Sequence, residues 1–109
     1  MAKGNSLKKE MNRLADIVFQ RELDTELTKI NADFKKWEKG TINSFQLNDL
    51  IHKYHEDVSQ HLWKLYQQQP EFLVARALAN NTIKNEETNP IILKALKDKM
   101  AFFKIDKNV

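Results

Sequence analysis

Apolar residues recur along most of the chain at spacings of three and four, which is the period of an amphipathic α-helix. No long stretch alternates with the period of two that marks a half-buried strand. Glycine occurs only at Gly4 and Gly40, and proline only at Pro70 and Pro90, so the turn residues that β-proteins need are scarce. The pattern predicts an all-α fold, an irregular bundle of about four helices, in a single helical domain over 1–109 with flexible ends at about 1–6 and 104–109.

The first predicted helix is long, covering about 7–37, and its apolar stripe changes direction part-way. On a straight helix, which turns by about 100° per residue, the second half of the stripe lies more than a quarter-turn around from the first. Either the helix bends near 17–21, or its two halves pack on different elements. The two sets are Leu7, Met11, Leu14 and Val18, then Phe19, Leu23, Leu27, Ile30, Phe34 and Trp37.

Turn and capping residues separate the helices that follow. Gly40 suits a left-handed stop after the first helix. Asn43 or Ser44 can cap the second helix, and Gln46 lies three residues after Asn43, in the capping-box position. Pro70 and Pro90 each fit the first turn of a helix. The predicted helices are 44–68, 70 to about 80–84, and 90 to about 103.

The segment 47–66 holds all three histidines, both tyrosines and one of the two tryptophans. On a helical wheel it carries two neighbouring stripes with few charges, where an ordinary surface helix needs only one. The predicted core stripe is Leu47, Leu50, Ile51, Tyr54, Val58, Leu62 and Leu65, with His61 at its edge. The second stripe is His52, His55, Ser59, Trp63 and Tyr66.

The second stripe has more than one interpretation. It can pack against another helix of the same bundle, as in a central helix covered on two sides. It can instead bind a protein partner or a second copy, because Trp and Tyr are typical interface anchors. A ligand pocket or enzyme site using His52, His55 and Tyr66 is the alternative from another class, although no recognisable catalytic motif accompanies it.

Asp49, His52 and His55 have a spacing, D-x-x-H-x-x-H, that suggests metal ligands. The three positions cover a wide arc of the wheel, however, so their side chains are not expected to converge. No second ligand cluster of the H-E-x-x-H type stands elsewhere, and the chain has no cysteine to supply thiolates or disulfides. The sequence therefore predicts no metal, no cofactor and no catalytic residue.

Charge and hydropathy indicate which classes of partner and which cellular location the sequence favours. The net charge is +3, from 18 basic and 15 acidic residues, which is too small to favour nucleic acid. Weak nucleic-acid binding through lysine-rich helix ends is kept as an alternative, because 90–109 carries five lysines against two aspartates. No stretch approaches the ~18 consecutive apolar residues of a membrane span, and no signal peptide is visible. We expect a cytoplasmic protein.

Four short motifs resemble a family of small, uncharacterised, helical bacterial proteins that share an I-H-x-[FY]-H segment. The motifs are D-L-I-H-K-Y-H at 49–55, L-W-K-L-Y at 62–66, P-E at 70–71 and K-M-A-F-F at 99–103. The resemblance implies a bacterial cytosolic setting but no activity and no functional residues. The leading prediction from the residues themselves is a helical protein–protein interaction or regulatory module.

Overall fold

The structure, a computed structural model, describes the backbone of residues 2–107 and the side chains of 6–103. The predicted flexible ends therefore lie outside the described side chains, apart from Ser6. Every regular element in the described backbone is helical, which confirms the all-α prediction. The helices are α1 (Ala2–Glu38), α2 (Ser44–Lys53), α3 (Gln60–Leu65), α4 (Pro70–Ala79), α5 (Pro90–Ala95) and α6 (Lys97–Lys107). A π-helical turn (Tyr54–Ser59) joins α2 to α3, and a 3-10 turn (Asn85–Glu87) precedes α5.

Helix α1 is long, as predicted, and continues unbroken through the point where its apolar stripe rotates. At that point the chain divides into two compact units. We call Met1–Gln20 with Gln68–Val109 the terminal unit, and Arg21–Gln67 the hairpin unit. The rotated stripe thus reflects two halves of one helix that belong to different units.

In the terminal unit, α4 is apolar on nearly all sides and is buried accordingly. All its residues from 73 to 79 are buried except Arg76. Phe72 at its start packs edge-to-face on Phe103 of α6, with ring centroids 5.0 Å apart. The remaining buried apolar side chains of this unit are Met11, Leu14, Ala15, Val18, Ile83, Ile92 and Leu96.

Left-handed residues end α1 and α4 with the same hydrogen-bond pattern. At Gly40, with φ 78°, the N–H of Thr41 donates to the carbonyl of Lys36 at 2.8 Å. Asn81, with φ 60°, ends α4 in the same way, and the N–H that follows it reaches the carbonyl of Ala77 at 2.9 Å. Both are Schellman motifs, which satisfy carbonyls at a helix end, and the one at Gly40 confirms the predicted stop.

Side-chain caps begin α2 and α5. The N–H of Gln46 donates to the side chain of Asn43 at 2.9 Å, and the N–H of Asn43 donates to the side chain of Gln46 at 2.8 Å. The side chain of Asn89 caps α5.

The final helix predicted from the sequence is two helices in the structure, because Leu96 leaves helical geometry at φ −101° and ψ 4°. No helix of the described residues has the length and apolar character that a membrane crossing requires.

Candidate interaction face

The hairpin unit consists of two rods joined by the turn 39–43. The first rod is the part of α1 from Arg21 onward, and the second is the continuous run of α2, the π-turn and α3. Near the turn, the indole Nε1 of Trp37 donates to the hydroxyl of Ser44 at 3.1 Å. Towards the other end, the hydroxyl of Tyr66 donates to the carboxylate of Glu22 at 2.9 Å. Hydrogen bonds between side chains thus join the rods at both ends.

The π-turn changes which residues of the second rod point towards the first. Within it, the N–H of Gln60 donates to the carbonyl of His55, five residues back. One extra residue in a turn rotates everything after it by about 100° relative to an uninterrupted α-helix. The helical wheel drawn from the sequence assumes no such rotation, so its faces are displaced after the π-turn.

Because of that rotation, the predicted second stripe does not form one surface. Ser59 and Tyr66 are half-buried, and Tyr66 is held by Glu22. His52, His55 and Trp63 are exposed, Trp63 by 60%. His61, which the wheel places at the edge of the core, is exposed as well.

His52 and His55 do not share a pocket with Tyr66. His52 and Tyr66 are separated by about 20 Å along the rod at 1.5 Å per residue. The Nε2 atom of His52 lies 3.1 Å from a carboxylate oxygen of Glu56 on the exposed surface, where an ion pair contributes little to stability. In the described part of the chain, no three histidine, aspartate or glutamate side chains lie close enough together to hold a metal ion.

One side of the hairpin is charged. A shallow cleft of about 250 Å³ lies there between the rods. Its charged lining residues are Glu26, Lys29 and Asp33 from α1, with Lys53 and Asp57 from the second rod. Ile30, Leu50, Tyr54 and Val58 complete the lining. The ammonium group of Lys29 lies 3.1 Å from the carboxylate of Glu26. Charges of both signs alternate around the cleft, as is typical of a solvated face.

The opposite side of the hairpin is apolar. Leu27 precedes Lys29 by two residues and Ile51 precedes Lys53 by two, so each points about 160° away from the lysine of the cleft. Phe34 lies two turns beyond Leu27 on the same side. We call Leu27, Phe34, Ile51 and Trp63 the apolar face; their exposed fractions are 47%, 37%, 38% and 60%.

Trp63 belongs to the apolar face because of the π-turn. It follows Ile51 by twelve residues, and the π-turn adds one residue to a turn. The effective separation is therefore about three turns, which places the two side chains within about 20° of each other. The same rotation moves Tyr66 towards α1, where it bonds Glu22.

The hairpin unit buries little of its own apolar surface. Leu47 and Leu62 are the buried apolar side chains in it, against thirteen in the described part of the terminal unit. Of the nine large apolar side chains that are exposed among the described residues, six belong to the hairpin unit: Leu27, Phe34, Trp37, Phe45, Ile51 and Trp63. Two helices make one layer, and a hydrophobic core needs a second layer to close it.

A second exposed apolar feature lies in the terminal unit. Phe72, Phe102 and Phe103 line a cleft of about 360 Å³ together with Lys99 and neighbouring polar side chains. The rings of Phe102 and Phe103 pack edge-to-face with centroids 5.6 Å apart. Since these rings already cover one another in part, they form a local aromatic cluster with one strongly exposed member, Phe102.

Sequence reasoning placed Trp63 in the candidate contact stripe but did not group it with Leu27, Phe34 and Ile51. It assigned Ile51 to the core stripe, and it left Leu27 and Phe34 in the stripe of the first helix without a defined neighbour. The missing information is the π-turn. The segment YHEDVS contains neither glycine nor proline and gives no local signal of an interruption.

Comparisons with known proteins identify no relative of this chain. No protein-family model, no curated protein and no solved structure matches the chain. The resemblance to small bacterial proteins therefore stays a prediction, and the function has to be argued from the arrangement of the residues themselves.

Proposed function

We propose that the protein is a helical protein–protein interaction module whose contact surface is the apolar face of the hairpin unit. The proposal rests on how little apolar surface the hairpin unit buries. Among its described apolar side chains only Leu47 and Leu62 are buried, whereas six large ones are exposed. Several apolar side chains exposed on one side of a unit mark an interaction site, whereas single exposed apolar residues are ordinary. Trp63, at 60% exposure, is the strongest anchor candidate because tryptophan is enriched among interface hot spots.

Polar residues border the apolar face on both sides, as they border most protein interfaces. Along the α1 edge, Asp24 and Glu38 lie one turn from Leu27 and Phe34. Along the other edge, His55 lies one turn beyond Ile51 and is exposed. His55 thus contributes to the rim of the proposed interface, while Trp63 contributes an exposed aromatic side chain near the end of the second rod.

Site-specific photo-crosslinking in cells of the native host tests the proposal. A photoreactive amino acid at Ile51 or Leu27 should form crosslinks to protein, because these positions would be covered when the module is engaged. Ile91 is the matched control, since it is an apolar side chain of the terminal unit with 66% exposure. Crosslinking from Ile51 and Leu27 no stronger than from Ile91 would contradict the proposed contact surface.

A further inference from the structure

We infer that the partner covering the apolar face is a second copy of this chain, with α1 of each copy lying over the second rod of the other. The inference rests on the proposed function and names the partner. Two hairpins stacked face to face make a four-helix bundle, which gives each single layer the second layer that a core requires. Closed two-fold dimers are also the commonest form of self-association among soluble proteins.

The side of the hairpin unit that carries the apolar face is large enough for a dimer interface. At 1.5 Å per residue, the first rod is about 27 Å long between residues 21 and 38. Two helices packed side by side are about 20 Å wide. The area covered on each copy is then roughly 500 Å², taking the surface as flat. Two copies together bury about 1,000 Å², which reaches the lower limit for specific interfaces.

The charge of the hairpin unit favours a neutral partner such as its own copy. Residues 21–67 contain seven lysines and arginines against eight aspartates and glutamates, a net charge of −1. The rest of the chain contains eleven against seven, a net charge of +4. Bringing two hairpin units together therefore meets little long-range repulsion. A nucleic acid or strongly acidic partner would instead be drawn to the terminal unit.

The rim of the apolar face determines how the copies are arranged. The α1 edge carries the carboxylates of Asp24 and Glu38 and the ammonium group of Lys35. The edge of the second rod carries the side chains of Asn48 and His55. Stacking α1 on α1 would oppose like charges, which is unfavourable at an interface. Stacking α1 on the second rod places the carboxylates beside amide and imidazole groups, which can donate hydrogen bonds to them. A two-fold axis parallel to the rods produces this arrangement.

Sedimentation equilibrium tests the self-association. The wild-type chain should have twice the monomer mass of 12.8 kDa. Leu27→Glu and Ile51→Glu should each give a monomer of unchanged helical content by circular dichroism, because each puts a carboxylate inside the interface. Ile91→Glu should remain dimeric. A wild-type chain that is monomeric at roughly 100 µM, or an Ile91→Glu chain that is monomeric too, would overturn the inference.

Disulfide trapping tests the arrangement without relying on a disruptive substitution. The chain has no cysteine, and Leu27 and His55 lie at the same level of the hairpin, equally far along the chain from Thr41. Leu27→Cys and His55→Cys chains should therefore form a mixed disulfide when they are combined, allowed to exchange and oxidised. Formation of homodisulfides alone would overturn the proposed stacking of α1 on the second rod.

These experiments separate failure of the inference from failure of the proposed function. If the wild type is monomeric and a photoreactive residue in place of Ile51 crosslinks to a different protein in cells, the second copy is excluded as the partner. The proposed interaction module is then retained. A monomeric wild type without such crosslinks would exclude both.

Discussion

At Tyr66, one hydroxyl group links the two rods of the hairpin unit. It donates to the carboxylate of Glu22 at 2.9 Å, and both side chains are half-buried, so water competes for the hydrogen bond only in part. Hydrogen bonds to charged groups contribute more to stability than neutral ones. This contact therefore matters more for the hairpin than the exposed pair of His52 and Glu56.

Replacing Tyr66 by phenylalanine should lower the free energy of unfolding of the hairpin unit by about 1 kcal/mol, because the ring stays and the charge-assisted bond is lost. Urea unfolding followed by tryptophan fluorescence measures the change. Tyr54→Phe is the control, since Tyr54 lines the open charged cleft and should have a smaller effect. Equal effects of the two substitutions would show that the bond to Glu22 has no special role.

In the terminal unit, Glu10 and Arg13 form an i, i+3 pair on α1, with Arg13 Nε donating to Glu10 at 3.0 Å. The hydrogen bond from Arg13 lowers the pKa of Glu10 below its ordinary value. Arg13→Met should raise the pKa of Glu10 back towards that value, as measured by NMR titration of the side-chain carboxyl. An unchanged pKa would contradict the assignment.

The sign of the linked stability effect follows from the lowered pKa. Any stability that the Glu10 pair contributes is fully present above the pKa of the unfolded chain and is lost as the pH falls through the folded-state pKa. The stability difference between the wild type and Arg13→Met should therefore disappear in strong acid. It should be small at neutral pH, because the pair is exposed to solvent.

Capping residues are where the sequence predicts the structure best. Gly40, Asn43 and Gln46 all act as expected, because each satisfies backbone groups within a few residues of itself. The exposure of Ile51 could not be predicted in the same way. It depends on how the second rod is turned against α1, and that is a property of the packed hairpin.

At the scale of the element, the π-turn sets the packing of the second rod. It brings Leu62 into the small core of the hairpin unit and Tyr66 to Glu22, while it directs Trp63 to the apolar face. A π-turn is one extra residue in a helix and occurs often at functional sites. Here the extra residue rotates α3 relative to α2, and this rotation decides which side of α3 faces α1.

Deleting Glu56 should remove the π-turn and rotate α3 by about 100° relative to α2. Leu62 would then leave the core and Tyr66 would lose Glu22, so we expect the hairpin unit to be destabilised by roughly 2–4 kcal/mol. Thermal and urea unfolding would measure the loss. Glu56→Ala, which keeps the residue count, should leave stability nearly unchanged. A deletion variant as stable as the wild type would show that the π-turn does not set the packing.

Helix α1 shows what periodicity can and cannot predict at this scale. The rotation of its apolar stripe near 17–21 predicted either a bend or two halves that pack on different elements. The helix is continuous there, and the two units divide at Gln20 and Arg21. The break at Leu96 was not predicted, because Ile92, Leu96 and Met100 keep helical spacing across it.

At the scale of the whole molecule, the two units differ in how much apolar surface they bury. The terminal unit has a continuous set of buried side chains around α4, whereas the hairpin unit has Leu47 and Leu62. A unit with so few buried contacts opens readily unless another surface covers it. The sequence predicted a candidate contact surface on the histidine stripe of 47–66, whereas the contact surface that we propose is the adjoining apolar face.

Both tryptophans, Trp37 and Trp63, lie in the hairpin unit. Their fluorescence therefore reports on this unit, while circular dichroism reports on all the helices. Trp63 lies on the apolar face and is 60% exposed, so covering that face should shift the emission of Trp63 to shorter wavelength.

Urea unfolding followed by tryptophan fluorescence, at two protein concentrations about a hundredfold apart, tests the central claim that a second copy covers the apolar face. Because unfolding would then be linked to dissociation, the midpoint should rise with protein concentration, and Leu27→Glu should abolish the rise. A wild-type midpoint that stays the same at both concentrations would contradict the account.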